Sequence, residues 1–272
     1  MIAAPPSSAA DLRNPAVARA LLARSRPDVV FHLAARAHVG QSWEDPLGTF
    51  ADNVALSAGV LEAVRHEAPE AVVVHVGSSE EYGPPPGPEP MTEDMLPRPQ
   101  NPYAVSKASS TLVATFYADA YCLRVLRARA FNHAGPGQEP IYALASFASQ
   151  VAAGLAAGQD PIRIVTGSAD TRRDYTDVRD VVRAYRLLAG HGEPGLFNIC
   201  SGVSRSAREL VAGLGAAAGV EIVHEVDPAR VRANEVPDVR GSAARLFEAT
   251  GWRPQIPFQQ TLADTLEWWR SR

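Results

Sequence analysis

The sequence predicts an α/β protein: a Rossmann-like, doubly wound parallel sheet lacking its N-terminal strands, followed by a smaller C-terminal substrate-binding domain. Three observations predict it. Apolar, β-branched runs alternate with amphipathic stretches of helical length, the pattern of strands buried between two helical layers. Several of those runs end in small or polar clusters, where a parallel sheet places its ligands. With 272 residues, 46% hydrophobic and 21% charged, the chain has enough apolar material to bury a full core.

The elements follow in order. Residues 14–26 read as a helix and 28–35, DVVFHLAA, as a strand running into a small-residue turn. A helix over 46–67 precedes a strand at 71–76, which ends in GSSEEYG at 77–83. The Pro-rich stretch 84–99 is too long for a simple connection and is expected to cover a site. Asn101 followed by Pro102 predicts a helix start, because the Asn side chain caps free amides and Pro needs none. A strand at 123–131 then ends in Asn132–His133 and the loop AGPGQ at 134–138.

Beyond that point the alternation loosens. A helix near 144–156, a short strand 162–165, the segment RRDYTDV at 172–178, a helix over 178–188, a strand at 196–200 and a helix from Ser206 are expected. GWRPQIP at 251–257 reads as a rigid turn before a last amphipathic helix. Residues 1–135 together with about 172–202 are assigned to a dinucleotide-binding domain, and 136–171 with 203–272 to a substrate domain.

Composition excludes several functions. A net charge of −4 supplies no field for nucleic acid or anionic lipid. Cys122 and Cys200 sit in apolar runs without CxxC spacing and are expected to be small buried hydrophobes of a cytoplasmic protein. The N-terminus lacks the basic and apolar regions of a leader, and no stretch is apolar enough to span a membrane. HExxH, CxxC and GxSxG are absent, so neither a metal site nor acyl transfer is expected.

Candidate chemistry gathers at one sheet edge: Leu33, Ala34 and Ala35; Ser78, Ser79 and Glu80; Asn132 and His133. Tyr103 and Lys107 are four residues apart on the helix begun by Asn101, so both project from one face. Lys107 is the only lysine among 26 basic residues. Its compact ammonium is expected to lower the Tyr103 phenol toward working pH, which a planar guanidinium would do poorly. Ser78 would hydrogen-bond a carbonyl near Tyr103, and Glu80 would act one carbon away, while Glu81 is expected to face water. Arg173 and Arg232 are candidate phosphate contacts. His32, inside a strand, reads as a satisfied core histidine.

These motifs resemble the extended short-chain dehydrogenase/reductase family, the NAD-dependent epimerase/dehydratases, and within it the members acting on GDP-hexoses. The resemblance rests on FHLAA at 31–35, GSSEEYG at 77–83, NPYAVSKAS at 101–109 and RAFNHAGPGQ at 129–138. RRDYTDVRD at 172–180, FNICSG at 197–202, RANEVPDVRGS at 232–242 and TGWRPQIP at 250–257 extend it. It implies NADP or NAD as cofactor, a GDP-hexose as substrate and a homo-oligomer. By resemblance, Ser78, Tyr103 and Lys107 are catalytic, and Glu80 matches the C5 base of the dehydratases. Asp11 and Leu12 lie at the adenine, Leu33 to Ala35 along the cofactor and His133 near the nicotinamide. Ser79, Asn132, Arg173, Arg232 and Glu235 hold the nucleotide sugar. AGPGQ after FNH, GSSEEYG and EVPxxxGS resemble the C4-ketone reductases more than the 4,6-dehydratases. An inactive binding or scaffold member is the remaining reading, against which the retained Ser78, Tyr103 and Lys107 stand.

The family's glycine-rich pyrophosphate turn has no counterpart before Asp11. The strand at Val29 is therefore expected to carry an unpaired edge, and the chain to grip the cofactor weakly and to associate through that edge.

Overall fold

The computed structural model describes residues 10–231 and 236–272. Asn14 accepts from the Ala16 amide and starts α1 (Pro15–Ser25), which leads to β1 (Val29–His32). Next come α2 (Val39–Glu44), α3 (Pro46–Glu67), β2 (Val72–Val76), a 3-10 turn (Ser79–Tyr82), α4 (Pro102–Tyr121), β3 (Val125–Ala130) and β4 (Asn132–Ala134). The C-terminal half contains α5 (Ala143–Ala156), β5 (Ile162–Thr166), β6 (Arg172–Asp177), α6 (Val178–His191), β7 (Gly195–Ile199) and β8 (Ser204–Ser206). It closes with α7 (Ala207–Ala218), β9 (Ile222–Val226), β10 (Asp238–Val239), α8 (Ala244–Thr250) and α9 (Phe258–Arg270).

The main sheet has the order β1-β2-β3-β7, all parallel. The two-residue alternation of strands divides its apolar side chains between two layers. Val73 and Val125 face a core made with Leu22, Leu61, Val64 and Ala114 of α1, α3 and α4. Val74 and Leu126 face the opposite core, with Val181 and Leu188 of α6, Leu246 of α8 and Trp252. Helices thus cover both faces, as the continuous valine run at β2 requires. Among the described residues β1 pairs only with β2, and Phe31 and Leu33 are exposed at that edge.

A second core lies C-terminal. Leu144, Phe147 and Val151 of α5 pack with Leu210 and Leu214 of α7, Leu262 and Leu266 of α9, and Ile162 and Ile164 of β5. β5 pairs with β9, and β6 is flanked by β4, β8 and β10. The 251–257 turn is anchored: the Trp252 indole donates to the Asp180 carbonyl, and the Asp180 carboxylate receives the Gln255 and Ile256 amides.

Several elements depart from expectation. β4, β8, β9 and β10 are short and partly polar, so no apolar run announces them. α2 is a short helix whose cap is unusual, His38 Nδ1 accepting from the Gln41 amide at 3.0 Å. Cys122 is neither buried nor in a strand: it is exposed and ends α4 in a left-handed conformation, φ 55°. Cys200 is buried just past β7.

Candidate active site

The C-terminal ends of β1, β2 and β3 bring together Leu33–Ala35, Gly77–Ser79 and Phe131–His133. α4 lies against the turn that follows β2. Its first residue is fixed by Asn101, whose Oδ1 accepts from the Ala104 amide at 2.8 Å and whose Nδ2 donates to Glu80 Oε2 at 2.8 Å. One side chain therefore ties the helix start to the turn carrying Ser78. The Tyr103 amide donates to Ser42 Oγ at 3.1 Å, which attaches the same helix end to α2.

Tyr103 stands in the first turn of α4, which packs against the turn that follows Ser78. Burial pushes its phenol pKa up; the interaction with Ser78 pulls it down, and Glu80, Glu81 and Tyr142 push it up further. The expected lowering by Lys107 is thus overturned: removal of the ring from water raises the phenol, and Ser78, not Lys107, is the group that pulls it down. Lys107 is itself buried, with its pKa brought down to about 8 by burial and held from falling further by Glu81. Its ammonium donates to the Val76 carbonyl. The Ser78 hydroxyl accepts from the Glu80 amide at 3.2 Å, so its proton remains available to another acceptor.

Below these groups lies a polar cluster. His32 Nε2 is 3.3 Å from Ser57 Oγ, which is 3.1 Å from His75 Nε2. His32 is a satisfied core histidine, as read. Burial and nearby Lys107 bring its pKa down to about 4, and burial, His32 and Lys107 lower His75 as well.

Glu81 corrects an expectation. It does not face water but is fully buried, with Oε1 accepting from the Ser78 amide at 2.8 Å and Thr111 Oγ1 at 3.1 Å, and Oε2 from Arg129 Nε at 2.9 Å. The Arg129 guanidinium lies over the Tyr82 ring, 4.4 Å from its centroid, and the Tyr82 hydroxyl donates to Asn198 Oδ1 at 2.7 Å. Asn198 Nδ2 donates to the carbonyls of Met91 and Ser242, and its amide donates to Glu93 Oε1. Sequence reasoning missed this network. Its one visible signal was Arg129, a charge between apolar residues of a buried strand.

The remaining site residues are more dispersed. His133 Nδ1 and the Phe131 carbonyl are 3.1 Å apart; burial lowers the imidazole pKa, and the Phe131 carbonyl offsets part of that. Asn132 is exposed on β4, while Ser79 is buried in the turn. Arg173 Nη1 donates to the carbonyls of Arg172 and Val236, so part of its guanidinium fastens the residues before β10. Arg232 and Glu235 lie outside the described residues. The Pro-rich segment lines one side of an open cavity of ≈ 610 Å³ together with Gln100, Val236 and Asp238, and none of Ser78, Tyr103 and Lys107 lines it. At the opposite side, Asp11 is paired with Arg13 at 2.9 Å, Leu12 packs near α1 and α3, and Arg13–Asp52–Arg36 contacts connect that segment to the residues after β1.

A model of the GDP-mannose 4,6 dehydratase family matches residues 7–265. The chain belongs to that family. It is 39% identical over 248 residues to GDP-6-deoxy-D-mannose reductase of Pseudomonas aeruginosa, covering 90% of this chain and 81% of that protein. The solved structure of RMD from Pseudomonas aeruginosa complexed with NADPH has a TM-score of 0.87 and 37% identity, with 97% of this chain and 88% of that chain covered. UDP-glucose 4-epimerase of Thermus thermophilus in complex with NAD has a TM-score of 0.84 and 31% identity, over 95% of this chain and 83% of that chain. The parallel α/β architecture read from the sequence is the fold of these family relatives.

Proposed function

We propose that this chain is an NAD(P)H-dependent oxidoreductase that reduces the C4 ketone of a GDP-4-keto-6-deoxyhexose. The observation that carries the reading is the packing of the helix bearing Tyr103 and Lys107 against the turn that follows β2 and Ser78, with Lys107 bonded to the end of β2, in a chain 39% identical to a GDP-6-deoxy-D-mannose reductase. The residues fit a nicotinamide dinucleotide. Leu33 and Ala34 present exposed apolar surface past β1, and Lys107 spends one of its three N–H donors on Val76, leaving donors for a ribose diol. Asp11 and Leu12 are assigned to the adenine end, Leu33, Ala34 and Ala35 to the length of the cofactor, and His133 to the nicotinamide side. The core around the main sheet is the cofactor half, and the C-terminal core is the sugar half.

Bound there, NAD(P)H supplies the hydride. Ser78 donates its hydroxyl proton in a hydrogen bond to the ketone oxygen, and Tyr103 transfers its phenol proton to the alkoxide as it forms. The raised phenol pKa suits that direction, since the group must arrive protonated. The Lys107 ammonium then stabilises the phenolate left behind. Ser79, Asn132, Arg173, Arg232 and Glu235 are assigned to the nucleotide sugar. Glu80 Oε2 accepts from Asn101, and Glu80→Gln separates the two reactions, because ketone reduction needs no carboxylate at C5 whereas 4,6-dehydration does.

The chain is assigned to the cytoplasm and to a homo-oligomer. Among the described residues no helix is long and apolar enough to cross a membrane. The oligomer is assigned to α4, whose Leu112, Phe116 and Tyr121 are exposed. Incubating the protein with GDP-4-keto-6-deoxymannose and NADPH, and following nicotinamide oxidation and the deoxyhexose product, tests the reaction. Conversion of GDP-mannose to the 4-keto sugar without ketone reduction would replace the reading with the dehydratase.

A further inference from the structure

The buried carboxylate of Glu81 takes no part in the chemistry above, yet three donors converge on it from three elements. They are the Ser78 amide at the end of β2, the Thr111 hydroxyl on α4 and the Arg129 guanidinium on β3. A buried carboxyl receiving only donors is matched to the ionised form, and Arg129 supplies the opposing charge. Burial pushes the Glu81 pKa up, while Arg129 and the Ser78 amide pull it back. Space has been left for it: a Cβ at Gly77 would overlap Glu81 Oε1 and come within 3.3 Å of Thr111 Oγ1. Glycine at the end of β2 and the carboxylate four residues on therefore form one packing unit.

The Ser78 peptide is held twice in this unit. Its amide is bonded to Glu81, and its hydroxyl accepts from the Glu80 amide, a reciprocal capping box that fixes both the backbone and the side-chain direction. That hydroxyl belongs to the turn against which the start of α4, with Tyr103, is packed and tied by Asn101. An aliphatic residue at 81 would leave the Ser78 amide without its acceptor in a site closed to water, and the turn would adjust to find another.

We infer that Glu81, fixed by Arg129 and Thr111, is a positioning residue for ketone reduction, holding the Ser78 peptide so that its hydroxyl is presented to Tyr103 and the substrate oxygen. The inference rests on the reductase reading, and it separates the acceptor at position 81 from its charge. A neutral amide oxygen there should serve the Ser78 amide, provided the Arg129 charge is removed as well, because an unpaired buried guanidinium would unfold the site for another reason.

The test compares the parent with Glu81→Met/Arg129→Met and with Glu81→Gln/Arg129→Met. It measures kcat and KM for the keto sugar with NADPH, and amide hydrogen exchange over residues 78–82. The double-methionine variant should fold, lose about thirtyfold or more in kcat with KM changed less than about threefold, and exchange faster over 78–82. Restoring the acceptor, in Glu81→Gln/Arg129→Met, should recover most of the turnover and of the protection. Parent-like kcat and exchange in the double-methionine protein, or losses that the glutamine substitution does not repair, would overturn the inference. If the double-methionine protein does not fold, Thr111→Val removes one of the three donors and leaves the ion pair; unchanged kcat and exchange there would overturn it equally. Absence of reduction by the parent defeats the reductase reading and the kinetic half of the inference, whereas the exchange comparison still decides whether Glu81 holds Ser78.

Discussion

At the scale of single residues, two opposing pKa shifts define the site. Tyr103 is pushed up and Lys107 down by the same burial, so the phenol remains a proton donor while the ammonium sits near its titration point. Tyr103→Phe removes the donated proton, and kcat is expected to fall by about two orders of magnitude or more with the circular dichroism unchanged. Lys107→Ala is expected to do likewise. Because burial brings Lys107 down to about 8, kcat/KM for the parent should decline as pH rises through that value and the ammonium at the end of β2 is lost. Glu80→Gln, in contrast, should keep most of the ketone reduction. The histidines give a stability prediction. His32 is lowered from 6.5 to about 4, so the unfolded chain binds more protons between those values and stability falls as pH drops through that window. The loss from His32 alone is about 3 kcal/mol, and His75 adds in the same direction. Thermal melts from pH 7 to pH 4 should show this slope, and His75→Gln should flatten it.

At the scale of elements, Asn198 is the fastening that sequence reading could not supply. From near the end of β7 it holds Tyr82, the Met91 carbonyl in the Pro-rich segment and the Ser242 carbonyl before α8. Asn198→Ala should leave those buried partners unsatisfied, costing about 1–3 kcal/mol. Because it loosens the segment lining the cavity at Pro84 and Val236, KM for the nucleotide sugar should rise more than kcat falls; steady-state kinetics would check this. Equal effects on both parameters would place Asn198 in the fold alone. The expectation that the Pro-rich stretch covers a site came from its length, and the Met91–Gly241 bridge shows how such a stretch is held in place.

At the scale of the whole molecule, two apolar surfaces stand out. The edge of β1 exposes Phe31 and Leu33, and α4 exposes Leu112, at 70% accessibility, with Phe116 beside Tyr121. A cluster of this kind on one helix face is a surface for association. Size-exclusion chromatography with light scattering should find an oligomer, and Leu112→Glu combined with Phe116→Glu should reduce its size without altering the melt. An unchanged oligomer would move the interface elsewhere, the β1 edge being the next surface to substitute.

What the sequence determined by itself was the alternation of elements and the identity of the groups at the sheet edge. Valine runs, Asn–Pro helix starts and the Tyr103–Lys107 spacing are local signals, set by backbone geometry and side-chain period, and they needed no tertiary information. The family resemblance added roles for those groups, while Arg232 and Glu235 lie outside the described residues. Only the tertiary structure decided what burial did to the charges. Glu80 and Glu81 are adjacent and chemically alike, yet one is tied to a helix cap and the other is sealed beneath Ser78 against an arginine from a distant strand. The phenol rose instead of falling for the same reason. Desolvation depends on everything packed around a group, and the neighbours of Glu81 and Tyr103 come from segments far apart in the chain, brought together only when the sheet forms.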